Sequence, residues 1–508
     1  MTTQNVRAPR APHVLLFICD QMQYQRQGRV DQHASTPQLD RFGQENIFFT
    51  HYHASNGQCV PSRVAMQTGL YPHEAGVMII YGFHGHTAHI TSEQLTVGHV
   101  FRDAGYTTAY FGKTHFGTPL ASLGYDHGWD GPPPGGADES EGPRGGAADR
   151  SHRRNSMTDR AIVDAALAFL AGHDSAQPLF LTVSIHEPHP PFEMVEAYAE
   201  RFKEEEMRLP RSFYEDDLAD KPAFQAGHAL DGRHGYADAG PAQAARARAE
   251  LRRYYTMISH VDQLFGEVRT ALESKRMWDG AAVAFTADHG DMMAAHRMRL
   301  KGTVPYEEIF RIPFVLKLPA GVPEPARREV DDLAANVSQP GTLLEAAGLA
   351  VPPDLRGGSL VPLLYRDRHP ESETLYYEHY GAYWGLHPFR VIRVREPDSG
   401  PGNGCGGEWK LACYYGPDAG EAELYDLASD PDELHNRAAD PALAEWRAEL
   451  ERRVHEWWQR TGGRDFAYYE SPEFKLSGAA TLMDGLHGRN VPTHGTAPAA
   501  SGISASDA

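Results

Sequence analysis

The sequence predicts an α/β fold in which helices flank a large, mainly parallel sheet, followed by a small C-terminal α+β subdomain. Two observations lead to this prediction. In the N-terminal part of the chain, short apolar runs recur with helical stretches between them, so the element order is strand, helix, strand. From about Thr374 the pattern changes to shorter strands and one helix.

Four apolar runs are rich in Val, Ile, Phe and Thr, the composition of strands buried on both faces. Each leads into a polar cluster: 13–19 into Asp20-Gln21, 106–111 into Gly112–His115, 179–185 into His186–His189, and 281–286 into Asp288–Asp291. Ligands bind beyond the carboxyl ends of parallel strands. We therefore expect the four clusters to form one shared site.

The domain organisation follows from the helices and the change of pattern. Helices are expected at 159–171 and 242–274, inside a catalytic domain at 1–373. The α+β subdomain at 374–465 should contain strands at 389–394 and 409–415 and a helix at 442–460. A tail at 466–508 completes the chain, and its end is predicted to be disordered because it has little to bury.

The charge of the chain limits its partners. The 508 residues include 48 Lys and Arg against 68 Asp and Glu, a formal net charge of −20. A field of this sign repels polyanions, so we exclude a generally basic nucleic-acid binder, although a local cationic pocket remains compatible with it. The apolar run that ends at Cys19 is too short to span a membrane. We expect neither nucleic acid nor membrane as a partner.

Cysteine usage indicates the compartment. The four cysteines, Cys19, Cys59, Cys405 and Cys413, are too few for a disulfide scaffold and fit a reducing environment. No apolar signal core follows the first residues. We predict a cytoplasmic enzyme, and a pair between Cys405 and Cys413 stays open for an oxidising compartment.

The segment Cys59-Val-Pro-Ser-Arg63 is the sharpest chemical feature. Pro61 is tolerated in a first helical turn, and the residues after it have helical composition, so Cys59 is expected at a helix N-terminus. Free N–H groups there favour an anion and lower the pKa of a thiol. Cys59 is either a nucleophile or a buried structural cysteine on this observation alone.

With Thr68-Gly-Leu-Tyr-Pro72 after it, this segment resembles the signature of the type I sulfatases, in the alkaline phosphatase superfamily. Further family motifs appear in order: Asp20-Gln21, Gly112-Lys-Thr-His115, Pro188-His-Pro-Pro191, Asp288-His-Gly290, Lys301, and the C-terminal run 423–433. The resemblance covers roughly residues 13–460. It implies an alkaline-phosphatase-like fold and the hydrolysis of small sulfate monoesters to an alcohol and inorganic sulfate.

The resemblance also implies the cofactors. A separate formylglycine-generating enzyme would oxidise Cys59 to formylglycine (3-oxoalanine), an aldehyde that hydrates to a geminal diol. One divalent metal ion is expected, with Ca²⁺ as the family expectation and Mn²⁺ or Mg²⁺ left open. Its implied ligands are Asp20, Gln21, Cys59, Asp288 and His289.

The implied catalytic residues are Cys59 and five others. Arg63 is expected to hold the diol and the sulfate, while Lys113 and Lys301 neutralise sulfate oxygens. His189, with Lys301, is expected to contact the leaving oxygen and supply its proton. His115 resembles the base that later takes a proton from the remaining diol hydroxyl, which expels sulfate.

Gln21 departs from the two aspartates that many sulfatases have at this place. Asp-Gln also occurs in relatives that hydrolyse choline sulfate, or phosphonate monoesters and phosphodiesters, so a hydrolase of the latter class is the first alternative. An inactive sulfatase-like binding protein and an unmodified thiol hydrolase at Cys59 are the others. A homo-oligomer stays open, and the alcohol portion of the substrate is not encoded in these motifs.

Three further features are assigned less definitely. His296 is expected near the site without touching the substrate. The segment 83–86, which contains His84 and His86, is a candidate rim of the pocket. The aromatic cluster 376–384 is either part of the substrate pocket or core of the small subdomain.

Overall fold

The computed structural model describes residues 11–129, 154–365, 373–382, 385–396 and 407–477. The predictions for Cys405, for residues 383–384 and for the disordered end of the chain lie outside these ranges. Within them, the predicted α/β fold with a C-terminal α+β subdomain is confirmed. The domain boundaries stay predictions.

The strands form three sheets. They are β1 Val14–Asp20, β2 Ile47–Phe49, β3 Tyr52–His53, β4 Thr107–Gly112, β5 His127–Trp129, β6 Leu179–Pro188, β7 Ala282–Ala287, β8 Phe314–Lys317, β9 Glu329–Val330, β10 Ala334–Ala335, β11 Glu373–His379, β12 Phe389–Glu396, β13 Gly407–Tyr414 and β14 Ala422–Asp426. The large sheet has the order β5-β4-β6-β1-β7-β8-β2-β9, and β3 pairs with β10.

The four strands predicted from the apolar runs are neighbours in this sheet. β1 lies between β6 and β7 and runs parallel to both, and β4 runs parallel to β6 on its other side. β8 is antiparallel to β7 and to β2, which is why the sheet is mainly rather than wholly parallel. The carboxyl ends of β4, β6, β1 and β7 therefore meet at one edge.

Helices pack against the large sheet and against the C-terminal sheet. They are α1 Pro37–Glu45, α2 Cys59–Thr68, α3 Pro72–Ala75, α4 Val97–Asp103, α5 Arg154–Gly172, α6 Arg211–Glu215, α7 Ala223–Leu230, α8 Pro241–Ser274, α9 Glu307–Phe310, α10 Gln339–Ala346, α11 Ala444–Arg460, α12 Phe466–Tyr469 and α13 Pro472–Lys475. α5 and α8 contain the two helices predicted from the sequence. Phe265 of α8 meets Phe17 of β1 edge-on, with ring centroids 5.5 Å apart.

The C-terminal part is a four-stranded antiparallel sheet in the order β11-β12-β13-β14. One face of α11 packs on it, because Trp446, Leu450 and Val454 form one buried cluster with Ile392 and Leu411. These side chains recur at the spacing of an amphipathic helix, which is why the sequence predicts this element well.

Among the described residues, no helix has both the length and the apolar character needed to cross a bilayer.

Candidate active site

The polar clusters begin where the strands end. Asp20 is the last residue of β1, Asp288 follows β7 directly, and Gln21 has a left-handed backbone (φ 69°) that turns the chain out of the sheet. Gly112 ends β4 with φ 105°, and a Cβ there would lie 1.9 Å from the carbonyl oxygen of Ser184. Only glycine fits such a position, so it permits the close approach of β4 and β6 at the site.

Cys59 is the first residue of α2, as the sequence predicts, and its side chain is buried. Its Sγ lies 2.7 Å from Lys301 Nζ, 3.2 Å from His289 Nε2 and 3.9 Å from Asp20 Oδ1. The helix N-terminus thus aims residue 59 at the edge where the strands end.

Arg63, one turn further along α2, joins the strand ends. Its Nε donates to Asp288 Oδ2 at 2.8 Å and its Nη2 to Asp20 Oδ2 at 2.9 Å. Nη1 donates to Ser184 Oγ at 2.8 Å and to the carbonyl oxygen of Lys113 at 3.0 Å. Four of the five guanidinium N–H groups are therefore used within the protein. This buried arginine holds two carboxylates in place.

The two buried carboxyl groups differ in their electrostatics. Burial raises the pKa of Asp20, but Lys113, His189 and Arg63 outweigh it and hold that pKa well below its usual value. The Lys113 ammonium lies 2.8 Å from Asp20 Oδ2. Burial and the charge of Asp20 raise the pKa of Asp288. Asp20 is thus the firmly ionised member of the pair. The ionisation of Asp288 depends more on a further positive charge nearby.

The same cations act on Cys59. Burial and Asp20 raise the pKa of its thiol. Lys301, Lys113 and His289 lower it by more, so the pKa lies well below its usual value. The site therefore stabilises a negative charge at residue 59, whichever atom carries it.

Lys301 and Gln21 face each other beside Cys59. Lys301 Nζ donates to Gln21 Oε1 at 2.9 Å and lies 3.2 Å from His289 Nε2. The other end of the Gln21 amide donates from Nε2 to the carboxylate of Asp291. The amide oxygen of Gln21 is thereby directed towards the site.

The two predicted proton carriers, His115 and His189, both lie close enough to Cys59 for its side chain to act on their pKa values. Burial lowers the pKa of His115. Burial, together with Lys301 and Lys113, lowers the pKa of His189 to about 4. Both rings are therefore neutral at neutral pH before substrate binds.

One set of side chains could hold a metal ion. Asp20, Cys59, Asp288 and His289 each offer one ligand atom, and these four atoms lie within 4.8 Å of one another. Two carboxylates, one imidazole and the amide oxygen of Gln21 are donors that suit a divalent cation. A cation here would also compensate the repulsion between the two carboxylates. The residues fit such an ion.

Sequence reasoning missed three residues of the site. Ser184 accepts from Arg63, but it lies inside a buried strand where no pattern distinguishes it. The Tyr254 hydroxyl donates to the backbone oxygen of Gln21 at 2.6 Å from a distant helix. Asp291 lies within a polar cluster that the sequence indicated, yet only its contacts show a role.

The less definite candidates make contacts of other kinds. His296 Nδ1 contacts Asp216 at 2.5 Å, and its ring stacks on Tyr306. His86 is fully buried against the side chains of Tyr380 and Phe474, so it does not form a pocket rim. In the aromatic cluster, Tyr376, Tyr377 and Tyr380 pack in hydrophobic clusters of the protein, which favours the core alternative.

Fold and site together define an α/β enzyme that gathers acids, cations and one potential nucleophile at a single strand edge. The family described as Sulfatase matches residues 12–349, and the family described as N-sulphoglucosamine sulphohydrolase, C-terminal, matches residues 301–460. The chain therefore belongs to the sulfatase family. It is a sulfuric ester hydrolase, as the sequence predicts.

The chain is similar to proteins from several bacteria. It is 26% identical to uncharacterized sulfatase YidJ of Escherichia coli, over 82% of this chain and 80% of that protein. It is 27% identical to a Delta 4,5-hexuronate-2-O-sulfatase of Bacteroides thetaiotaomicron, over 88% and 89%. The phosphonate monoester hydrolase of Agrobacterium radiobacter shares the fold, with a TM-score of 0.67, 23% identity, and coverage of 90% and 97%.

Proposed function

We propose that this enzyme hydrolyses small sulfate monoesters with a formylglycine hydrate made from Cys59 as the nucleophile. One observation carries the proposal: residue 59 lies at a helix N-terminus, close to two buried carboxyl groups and to the positive charges of Lys301 and Lys113. This arrangement stabilises negative charge at residue 59 and on an anionic substrate in the same place.

The metal proposal concerns five side chains. Asp20, Gln21, residue 59, Asp288 and His289 would hold one divalent cation, which we propose to be Ca²⁺, with Mn²⁺ and Mg²⁺ as alternatives. When bound, the ion supplies a positive charge that lowers the pKa of a hydroxyl on residue 59.

The Cys59 Sγ marks the position of a hydroxyl oxygen of the matured side chain. Arg63 keeps the nearby carboxylates in place and brings positive charge to that hydroxyl and to a sulfate oxygen. Lys113 and Lys301 bring positive charge to the sulfate oxygens, where negative charge grows as the ester bond breaks. The residues thus bind the ground state and stabilise the transition state with the same charges.

His189 would protonate the leaving oxygen. Its pKa of about 4 means that the ring is neutral in the free site. The negative charge of a bound sulfate ester stabilises the imidazolium and raises this pKa, so the ring gains its proton when substrate binds.

His115 would act in the second half of the reaction. It takes the proton of the second hydroxyl on residue 59, and the aldehyde re-forms as the bond to sulfate breaks. Release then needs no attack of water at sulfur. The low pKa of His115 keeps the ring neutral and able to accept that proton.

Cys59 is 1% exposed, so a maturation enzyme could not reach it in the folded chain. We therefore infer that the formylglycine-generating enzyme acts before α2 packs. We keep the cytoplasm as the proposed compartment, because four cysteines are too few for a disulfide scaffold.

The test joins mass spectrometry to kinetics. The peptide that contains residue 59 is expected to carry an aldehyde in place of the thiol when the maturation enzyme is coexpressed. Turnover of aryl sulfates should rise in proportion to the converted fraction and stop on chelation of divalent cations. Full activity with an intact thiol would overturn the mechanism and favour a thiol hydrolase.

A phosphonate monoester hydrolase is the second candidate, favoured by Gln21 and by the shared fold with the Agrobacterium radiobacter enzyme. Lys113 and His115 argue for the sulfatase, because both match the sulfatase motif at 112–115, whereas the phosphonate relatives typically vary at that stretch. A panel of aryl sulfate, choline sulfate and a phenylphosphonate monoester separates the two by kcat/KM.

A further inference from the structure

Asp291 is a fully buried carboxylate that none of the steps above uses. One of its oxygens, Oδ2, accepts from Nε2 of Gln21. The other, Oδ1, accepts from the backbone N–H of Met293 at 2.8 Å and of Leu300 at 3.1 Å. The carboxylate therefore connects a proposed metal ligand with both ends of the loop that leads to Lys301.

The orientation of the Gln21 amide is determined at both of its ends. The side-chain oxygen Oδ2 of Asp291 accepts from Gln21 Nε2, so the NH₂ group faces Asp291. The Lys301 ammonium can only donate, so the amide oxygen must face Nζ, 2.9 Å away. Both contacts require the same orientation, with the oxygen towards the proposed metal.

The loop held by Asp291 is conformationally costly. Between Asp291 and Lys301, several residues other than glycine have left-handed backbones, among them Ala294 (φ 76°), His296 (φ 51°) and Leu300 (φ 62°). Such conformations persist only where surrounding contacts impose them. Asp291 supplies two of those contacts, one to Met293 at the start of the loop and one to Leu300 immediately before Lys301.

We propose that Asp291 is a positioning residue for the metal site, because its carboxylate fixes the Gln21 amide with the oxygen towards the ion and places Lys301. This inference rests on the proposed function, since it assumes that Gln21 is a ligand. It assigns no contact with substrate to Asp291.

The inference predicts a reversal of hydrogen-bond polarity. In Asp291→Asn, one oxygen can still accept from the loop N–H groups, but an NH₂ group now faces Gln21. The Gln21 amide can then satisfy only one neighbour: turning its oxygen to the new amide at position 291 presents its NH₂ to Lys301 and the ion, and keeping its oxygen towards Lys301 sets two NH₂ groups against each other. Adding Gln21→Glu restores an oxygen on both sides, so the double variant is expected to recover the site.

The experiment titrates Ca²⁺, Mn²⁺ and Mg²⁺ separately into chelator-stripped protein by calorimetry, and uses the ion that wild type binds best. Asp291→Asn should weaken binding about 10- to 100-fold, the usual effect of losing a residue that supports a metal ligand. Gln21→Glu should increase the ion affinity in both backgrounds. Because the two positions are coupled, the increase in the Asp291→Asn background should be at least about tenfold larger than the increase in wild type.

Two controls keep the result specific. Asp262→Asn alters another buried carboxylate that accepts two backbone N–H groups, from Gln38 and Leu39, and should leave ion binding unchanged. Thermal unfolding in chelator shows that each variant folds. Wild-type affinity in Asp291→Asn, or an equal gain from Gln21→Glu in both backgrounds, would overturn the inference alone. Absence of ion binding in wild type would instead overturn the proposed metal function.

Discussion

Replacing Lys113 with alanine removes a positive charge from the proposed sulfate site and leaves the carboxylates paired. Lys113 Nζ lies 2.8 Å from Asp20 Oδ2, while Arg63 Nη2 contacts the same oxygen at 2.9 Å. Burial lowers the pKa of Lys113, but Asp20 and Cys59 raise it more, so the ammonium stays charged throughout the assay range. The substitution thus deletes a full charge.

The size of the effect follows from these contacts. Orphaning a buried charge costs about 3–5 kcal/mol of stability, but Asp20 keeps Arg63 as a partner, so we expect a smaller loss and a folded variant. A cation that stabilises transition-state charge in a buried site contributes about 10²- to 10³-fold in rate. We expect kcat/KM of Lys113→Ala to fall by this factor.

The assay measures kcat and KM with an aryl sulfate, normalised to the fraction of residue 59 converted to the aldehyde. Lys317→Ala is the matched control, because Lys317 is a half-buried lysine on β8 of the same sheet that donates to the backbone carbonyls of Ala281 and Asp279. It should keep wild-type kinetics. If Lys113→Ala kept a near-wild-type kcat/KM at equal conversion, the proposed role of the Lys113 charge in stabilising the transition state would be refuted.

Three more predictions follow. Cys59→Ala should fold yet show no turnover, measured with aryl sulfates after coexpression with the maturation enzyme; residual turnover would exclude residue 59 as the nucleophile. In the pH profiles, the falling limb of kcat should lie at higher pH than that of kcat/KM, because bound sulfate raises the pKa of His189 from about 4; His189→Asn should abolish this limb and slow poor leaving groups most. His379 is buried, neither ring nitrogen has a hydrogen-bond partner in the described structure, and burial lowers its pKa to about 3. The unfolded chain binds a proton at His379 below its unfolded pKa of about 6.5, so the free energy of unfolding falls as the pH is lowered, by roughly 3 kcal/mol at about pH 4.5. His379→Phe lacks this group, so its free energy of unfolding should fall less than that of wild type between neutral pH and about pH 4.5.

The sequence was most informative where one residue type serves one physical need. Buried parallel strands need long apolar runs, and a polar residue such as Asp20 or Asp288 marks where each run ends. Since parallel strands place those ends together, spacing along the chain predicts proximity in space. Cys59 was predictable because Pro61 marks a first helical turn.

The remaining features depend on contacts that no local pattern encodes. Ser184 has the same burial as its neighbours in β6, and only the approach of Arg63 gives it a role. The segment 83–86, with His84 and His86, was a candidate rim of the pocket. His86 instead fills the core beside Tyr380, which shows that residue type alone does not fix position.

Gln21 shows how the charge of the site is distributed. A neutral amide next to Asp20 lowers the negative charge on the proposed cation by one, compared with a pair of aspartates. The carboxylate that the amide lacks is present in Asp291, immediately behind it and hydrogen-bonded to it. In the proposed site this carboxyl group would lie one side chain further from the ion, where it orients the amide oxygen instead of binding the ion. A weaker field from the ligands would leave the proposed cation more electrophilic, which suits a substrate that is itself an anion.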